Sequence, residues 1–176
     1  MGERDRSPSA RSRTSRSRDR FPSGSASPSG SAYDSAVRFL GPRPRSILEI
    51  RRHLLKKRFD ERESAAAIER LREQGYADDR AFARYWLDQR GRFRPKGAFG
   101  LRSELRAKGV DLVIVEEVLG EGERDETAAA RAALRPKLAR WSGLEPLERK
   151  AKVQALLRQR GFSFDVIDEV LSSLDA

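Results

Sequence analysis

Residues 101–111 read LRSELRAKGVD and combine a short helix, a corner and the start of a second helix. Leu101 and Leu105 stand four positions apart, which places two apolar side chains on one face of a helix. Gly109 suits the left-handed conformation in which many helices end, and Asp111 suits the cap of the helix that follows. The stretch therefore predicts a helix–corner–helix unit.

The same pattern occurs three times along the chain. The three copies align on Phe59, Val110 and Phe162, which are 51 and 52 residues apart. Apolar residues recur nine and five positions before these residues and nine positions after them: Ile50, Leu101 and Val153; Leu54, Leu105 and Leu157; Ile68, Leu119 and Leu171. A unit of this size has a small core, so neighbouring units must pack on one another for stability.

Helical spacing of apolar residues continues from about residue 31 onward, without sustained alternation of the strand type. The predicted helices are 33–40, 46–57, 60–73, 79–91, 98–108, 111–119, 124–140, 146–159 and 164–174. We expect an all-α fold of three tandem three-helix repeats, which are helix-turn-helix-like units in an elongated, curved array. The expected divisions are a disordered tail at 1–30 and repeats at 31–77, 78–120 and 121–176. Pro136 lies inside the seventh helix and predicts a kink or a break.

Several polar residues are interpreted as structural. Ser46 and Asp60 each stand three residues before a glutamate, which predicts two capping boxes. Adjacent Asp78 and Asp79 are interpreted as helix caps rather than as metal ligands or catalytic carboxylates. His53 has no second imidazole in the chain and is expected at the edge of the core.

The aromatic residues at helical spacing are also interpreted as structural. Tyr76, Phe82 and Trp86 are expected to form core between the repeats, and Trp141 is expected to pack although it stands near a helix end.

Composition excludes several kinds of chemistry. The chain has 176 residues, 37 Lys plus Arg against 27 Asp plus Glu, a net charge of +10, and no Cys. Disulfides, thiolate nucleophiles and Cys-based metal sites are thereby excluded. We expect no enzymatic activity, no metal and no cofactor, because phosphate-binding glycine loops and catalytic constellations are missing from the sequence. The charge predicts an acidic partner, and the chain is expected to be a soluble, cytoplasmic monomer without a membrane partner.

The first 30 residues are rich in Ser, Arg and Pro and contain one aromatic residue, Phe21. Such a segment has too little apolar surface to fold, so we expect disorder. A solvated tail is the favoured interpretation. Loose phosphate binding and an organellar transit peptide are the alternatives.

Four stretches of the folded part resemble one family in the same order. Residues 75–83, GYADDRAFA, resemble the G-Y-x-D-D-x-x-F-A signature of the RecX family, the bacterial regulators of RecA. Residues 45–54, RSILEIRRHL, resemble its opening motif R-S-x-x-E-L-x-x-x-L. Residues 96–110, KGAFGLRSELRAKGV, and residues 160–163, RGFS, are similar to its later motifs. The chain departs from the family pattern at Ala98, where Pro is common, and at Arg58, where Gly is common.

The resemblance implies a non-enzymatic protein of three three-helix repeats. Members of the family bind the RecA filament on single-stranded DNA and lower its ATPase, strand-exchange and coprotease activities. In that role they modulate recombinational DNA repair and the SOS response. Direct contact with single- or double-stranded DNA through basic residues is a further expectation.

The basic stretch around residues 90–97 is the best binding candidate. We expect a loop there in which Arg90, Arg92, Arg94 and Lys96 surround Phe93. Basic residues continue on the next helix as Arg102, Arg106 and Lys108. The alternative is an ordinary solvated loop with Phe93 in the core.

Two other functions remain open from the sequence. One is a transcriptional regulator that reads a duplex site through a single helix-turn-helix, although the basic residues are spread over all three units. The other is a helical-repeat scaffold for protein partners, in which the charge serves solubility only.

Overall fold

The computed structural model describes residues 30–122 and 124–174, and over these residues the chain folds into helices without strands. The helices are α1 (Ala32–Leu40), α2 (Ile47–Lys56), α3 (Glu61–Glu73), α4 (Asp79–Phe93), α5 (Ala98–Ala107), α6 (Leu112–Gly120), α7 (Glu126–Trp141), α8 (Pro146–Gln159) and α9 (Phe164–Leu174). The predicted disorder of the tail falls on residues that lie almost entirely outside the described ranges.

The nine described helices form three units of three, which confirms the predicted tandem repeat. Helices α1–α3, α4–α6 and α7–α9 each pack around a core of their own. The three cores are centred on Ile50, Leu54, Phe59 and Leu71; on Phe82, Leu105, Val110 and Val115; and on Leu134, Val153, Leu157, Phe162 and Ile167. Because each core is small, the stability of the fold also depends on contacts between the units.

Both predicted capping boxes are present. Asp60 accepts a hydrogen bond from the backbone N–H of Glu63 at 2.7 Å, and the Glu63 carboxylate accepts one from Asp60 at 2.9 Å. Ser46 and Glu49 form the same reciprocal pair at the start of α2. The local sequence was sufficient to predict both capping boxes, because each pair of side chains accepts hydrogen bonds from backbone N–H groups at the start of its own helix.

The end of α4 and the interior of α7 differ from the sequence-based expectation. Helix α4 continues to Phe93 rather than ending at 91, and Arg92 pairs with Asp88 one turn earlier at 2.8 Å. The last turn is thus supported by a side-chain pair at the favourable spacing. Helix α7 runs through Pro136 without a break, so the alternative of a broken helix is wrong.

The three corners share one backbone conformation. Arg58, Gly109 and Gly161 have positive φ angles of 68°, 81° and 77°, in the left-handed region. Arg58 adopts it despite a side chain, at a cost of about 1–2 kcal/mol. The departure from glycine at the first corner therefore does not change the corner's geometry.

The first and second units meet where α2 begins, and we call this contact the first junction. The Ser46 hydroxyl donates to the carbonyl oxygen of Lys108 at 2.7 Å, next to the second corner. The backbone N–H of Ile47 donates to the Asp79 carboxylate at 2.9 Å. The Leu48 side chain packs so closely against Gly109 that a Cβ there would lie 2.5 Å from it.

The second and third units meet in the same way at the start of α5, the second junction. The backbone N–H of Gly97 donates to the carbonyl oxygen of Arg160 at 3.2 Å, and that of Ala98 donates to the Glu126 carboxylate at 2.8 Å. A Cβ on Gly161 would lie 2.2 Å from the backbone nitrogen of Gly100. Backbone therefore meets backbone here.

The two junctions are equivalent in the repeat register. Ser46 and Gly97 both stand thirteen positions before the aligned residue of their unit, and Lys108 and Arg160 both stand two before theirs. This equivalence explains why glycine occupies the second and third corners. Gly109 and Gly161 each contact the second helix of the preceding unit, whereas Arg58 at the first corner is exposed.

Comparing Gly100→Ala with Gly91→Ala should separate the effect of the close junction contact on stability from the effect of helix propensity. Gly91 lies in α4 with open space around it, so Gly91→Ala should raise the free energy of unfolding by about 0.5–1 kcal/mol. Gly100→Ala should lower it by about 1–3 kcal/mol, since its Cβ would lie 2.3 Å from the Arg160 carbonyl oxygen. Urea unfolding followed by far-UV circular dichroism measures both. Equal stabilisation by the two substitutions would contradict a close second junction.

Candidate partner-binding surface

The seven basic residues predicted as a binding site do not form one surface. Arg90 and Lys96 converge on Glu104: the Arg90 Nε donates to Oε2 at 2.7 Å and the Lys96 Nζ lies 2.8 Å from Oε1. The indole N–H of Trp86 donates to the same carboxylate at 2.9 Å. Both cations are about four-fifths buried at the side chain, so their charges are largely neutralised within the protein.

Lys108 is held in the same region by a carboxylate of the first unit. Its Nζ lies 2.7 Å from Glu49 Oε1 and 4.2 Å from the centre of the Trp86 ring. The Arg90 guanidinium lies over the same ring at 4.4 Å, so two cations contact one indole. We call Glu49, Trp86, Arg90, Lys96, Glu104 and Lys108 the Trp86 cluster. It links the second unit to the first.

The cluster changes the titration of its carboxylates. Burial alone raises the pKa of Glu104, but hydrogen bonds from Arg90, Lys96 and Trp86 outweigh it and hold the pKa below its ordinary value. The same balance, with Lys108 as the principal donor, lowers the pKa of Glu49. Both carboxylates are therefore ionised at neutral pH and act as structural anions.

Three of the remaining predicted residues are exposed. Arg92, Arg94 and Arg106 are open to solvent. Arg92 has only the surface pair with Asp88, and such pairs contribute little to stability. Phe93 is 78% exposed, which contradicts the alternative that it packs into the core. The expected loop at 90–97 is in part the last turn of α4, and this turn presents Arg92 and Phe93 outward.

Two further exposed aromatic rings lie at the second junction and were not predicted from the sequence. Phe99 is 63% exposed beneath the guanidinium of Arg102, at 5.5 Å, and Arg102 also pairs with Glu116. Phe164 is 64% exposed beneath Arg158, at 5.4 Å. We define the aromatic–arginine surface by these residues and the end of α4: Phe93, Arg94, Phe99, Arg102, Arg158 and Phe164.

The packing of the second junction brings these residues to one region. Gly161 contacts the backbone of Phe99 and Gly100, and Phe164 follows it by three residues. Arg160 donates to the carbonyl oxygen of Pro95, and burial together with the charge of Arg94 lowers its pKa. The equivalent positions at the first junction hold Leu48 and Leu112. The repeat register therefore shows that aromatic rings are specific to the second junction.

The other residues singled out from the sequence have structural partners. Asp78 caps α4 by accepting from the backbone N–H of Arg80 at 2.8 Å. Asp79 lies one residue further on and accepts from Ile47 instead, so it joins two units; burial raises its pKa. His53 stacks on Phe39 with ring centres 4.1 Å apart, as expected of a residue at the core edge.

Three of the four aromatic residues predicted to be structural pack against a core, but Phe82 and Trp86 belong to the core of the second unit rather than to a core between repeats. Phe82 is fully buried, and Trp86 and Trp141 pack against their cores. Tyr76 is 64% exposed, so its assignment to the core is wrong. The left-handed turn at Gly75 sends Tyr76 outward, and Ala77 takes the buried position instead.

Within residues 30–122 and 124–174 no cluster of His, Cys, Asp and Glu has the arrangement of a metal site. No helix in these ranges is long and apolar enough to cross a membrane.

Three helical units joined in series by two equivalent junctions define a tandem three-helix-repeat protein. Comparison with known families goes further. The family models of the first, second and third three-helix domains of RecX match residues 32–71, 78–119 and 124–171, respectively. The chain belongs to the RecX family.

Two relatives that are named regulatory protein RecX match most of this chain. The chain is 36% identical over 143 residues to the regulatory protein RecX of Chlorobium phaeobacteroides strain BS1, covering 81% of this chain and 93% of that protein. It is 33% identical over 144 residues to the regulatory protein RecX of Bacillus subtilis strain 168, covering 81% and 54%. A RecX regulatory role follows from these relationships.

Solved structures show the same fold. The crystal structure of RecX from Lactobacillus salivarius superposes with a TM-score of 0.69 at 21% identity, covering 82% of this chain and 94% of that chain. A second crystal structure of regulatory protein RecX gives a TM-score of 0.71 at 24% identity, covering 79% and 70%.

Removing the charge of Glu104 should reduce the acid sensitivity of the fold. Because the folded-state pKa is depressed, this carboxylate stabilises the protein above the pKa of an unfolded glutamate, and the contribution is lost as pH falls through the folded-state pKa. Glu104→Gln should therefore lower the free energy of unfolding by about 1–3 kcal/mol near pH 7, and by progressively less at lower pH as the wild-type carboxylate becomes protonated. Urea midpoints across this range measure the difference.

The matched control is Glu73→Gln, on the exposed face of α3. It should leave the free energy of unfolding within about 0.5 kcal/mol of the wild-type value at each pH. A Glu104→Gln deficit that does not shrink at any acidic pH at which the wild-type protein remains folded would contradict the ion-paired role of this carboxylate.

Proposed function

We propose that this chain is a non-enzymatic regulator that binds the RecA filament on single-stranded DNA and lowers its ATPase, strand-exchange and coprotease activities. In this role it modulates recombinational DNA repair and the SOS response, and it acts in the cytoplasm as a monomer. Membership of the RecX family supports the proposal, since the relatives are named regulatory proteins.

The observation that carries the proposal is the exposed aromatic–arginine surface at the second junction. Guanidinium groups pair with phosphates or carboxylates, and exposed rings stack on bases or fill apolar depressions of a protein partner. A filament of protein on DNA offers all of these groups. Regulation also needs no catalytic group, which agrees with the structural partners of Asp78, Asp79 and His53.

Inhibition of RecA at low ratios is the expected result of a direct test. The assay measures ATP hydrolysis by the RecA of the same genome on excess single-stranded DNA, while this protein is titrated well below the RecA concentration. Excess DNA removes simple competition for strands as a cause. We expect hydrolysis to fall at these ratios. Unchanged hydrolysis at equal concentrations would overturn the proposal.

The exposed basic residues should carry part of this inhibition. The variant Arg92→Ala/Arg94→Ala/Arg106→Ala removes three cations that lie outside the Trp86 cluster, so it should fold normally. We expect it to need about tenfold more protein for half-inhibition, as charge-assisted contacts are lost. The measurement is the same ATPase titration.

The control carries the same loss of charge elsewhere. Arg52→Ala/Arg62→Ala/Arg131→Ala changes three exposed arginines on α2, α3 and α7. It should inhibit like wild type. Equal weakening by both triple variants would mean that net charge, rather than the position of Arg92, Arg94 and Arg106, sets the affinity.

A second variant tests the rings without changing charge. Phe99→Leu/Phe164→Leu gives the second junction the aliphatic residues found at the equivalent positions of the first. Packing is thereby preserved while stacking is lost. Full inhibition by this variant would remove the two rings from the proposed contact surface.

A further inference from the structure

A cleft separates the first unit from the start of the second, away from the second junction. It lies between the segment that joins α1 to α2 and the N-terminal half of α4, and its volume is about 430 Å³. The lining includes two prolines, two arginines and an aromatic ring: Pro42, Arg43, Pro44, Arg45 and Tyr76. Neither the proposed function nor the predicted basic site uses these residues.

The two arginines give one side of the cleft a positive charge, which Glu49 balances only in part. Arg45 lies over the Phe39 ring at 4.2 Å, and its Nε is buried without a hydrogen-bond partner. Burial, and then the neighbouring charge of Arg43, lowers the pKa of Arg45. A buried donor without an acceptor costs free energy.

The nearest carboxylate neutralises this pair only in part. Glu49 lies 3.8 Å from the Arg43 Nη2, a long contact. Its Oε1 lies 2.7 Å from the Lys108 Nζ, so this carboxylate serves the Trp86 cluster. The Arg43 Nη1 donates only to the carbonyl oxygen of Pro44, at 3.1 Å.

The wall of the cleft is apolar and exposed. Tyr76 is held outward by the left-handed turn at Gly75, and the rings of Pro42 and Pro44 lie in the facing segment. Rigid aromatic and proline surfaces bind apolar side chains with little loss of conformational entropy. The cleft thus offers guanidinium groups beside an apolar wall.

We propose that this cleft binds an acidic segment of a protein partner. A carboxylate of the segment accepts hydrogen bonds from the guanidinium groups of Arg43 and Arg45, and a neighbouring apolar side chain packs on Tyr76. Bidentate pairing of guanidinium with carboxylate supplies both affinity and orientation.

The charge at the rim favours a peptide over nucleic acid. Asp78 also lines the cleft, and its carboxylate is fixed there as the cap of α4. A phosphate backbone carries a negative charge at every nucleotide and would be repelled by it. A peptide can place one carboxylate on the arginines and an uncharged residue beside Asp78.

Direct binding of a synthetic probe tests the proposal on the full chain without RecA. The probe is a fluorescein-labelled peptide in which Asp and Glu alternate with Leu and Phe, and a second peptide has Asn and Gln in place of the acids. We expect saturable binding of the first peptide, seen by anisotropy, and at least about tenfold weaker binding of the second. The amide NMR signals of Gly41 and Gly75, which line the cleft, should shift on binding.

Variants locate the site. Arg43→Gln and Tyr76→Ala should each weaken binding by about tenfold, whereas Arg52→Gln and Leu147→Ala change exposed side chains outside both proposed surfaces and should have no effect. Asp78→Asn keeps a good helix cap but removes the repelling charge, so it should strengthen binding by a few fold. A gain of affinity cannot arise from misfolding.

Three results would overturn the proposal. The first is the absence of saturable binding, and the second is peptide binding that neither Arg43→Gln nor Tyr76→Ala weakens. The third is displacement of the peptide by an oligo-dT of equal charge, where Arg43→Gln and Tyr76→Ala also weaken the binding of that oligo-dT. The last result would assign the cleft to nucleic acid. Since the test contains no RecA, its outcome is independent of the ATPase experiment.

Discussion

The close approach of one unit's second helix to the next unit's corner is the contact on which the remaining structure depends. At the second junction a single Cβ on Gly161 would lie 2.2 Å from the backbone of Gly100, so the units dock without side chains between them. Asp79 and Glu126, each at the start of the following unit, accept the free N–H groups of Ile47 and Ala98. Helix starts that would otherwise need water are thereby satisfied by the neighbouring unit. The junctions consequently set where every surface residue lies.

Three of the seven basic residues predicted to bind a partner instead neutralise carboxylates within the protein. The Trp86 cluster uses Arg90, Lys96 and Lys108 to neutralise Glu49 and Glu104 around one indole ring. Removing one member of a partly buried ion pair leaves the other without compensation, so these cations are poor candidates for exchange with a ligand. Net charge is thus an incomplete guide to binding surfaces. The charges available to a partner are those outside the cluster.

The two junctions are equivalent in the repeat register, but they differ in the groups that make the contact: the Ser46 hydroxyl and the Leu48 side chain at the first, and the backbone of Gly97 and Gly100 at the second. The first carries Leu48 and Leu112 near its corner, and a cleft with only partly balanced arginines lies on the side of Tyr76. The second carries exposed Phe99 and Phe164, each beneath an arginine. A repeat array can diversify in this way because each unit contacts only its neighbours, so the side chains around one junction can change without altering the other.

The sequence by itself determined the features that depend on residues close in the chain. Helix spacing, the capping boxes at Ser46 and Asp60 and the threefold register were all predictable, since each is satisfied within a turn or a corner. Family membership was also recognisable from four short stretches. Only the tertiary structure decided that Lys108 pairs with Glu49, 59 residues away, and that Arg90 pairs with Glu104. It likewise decided that Tyr76, Phe93, Phe99 and Phe164 face outward, because exposure depends on how the units dock and not on helical periodicity.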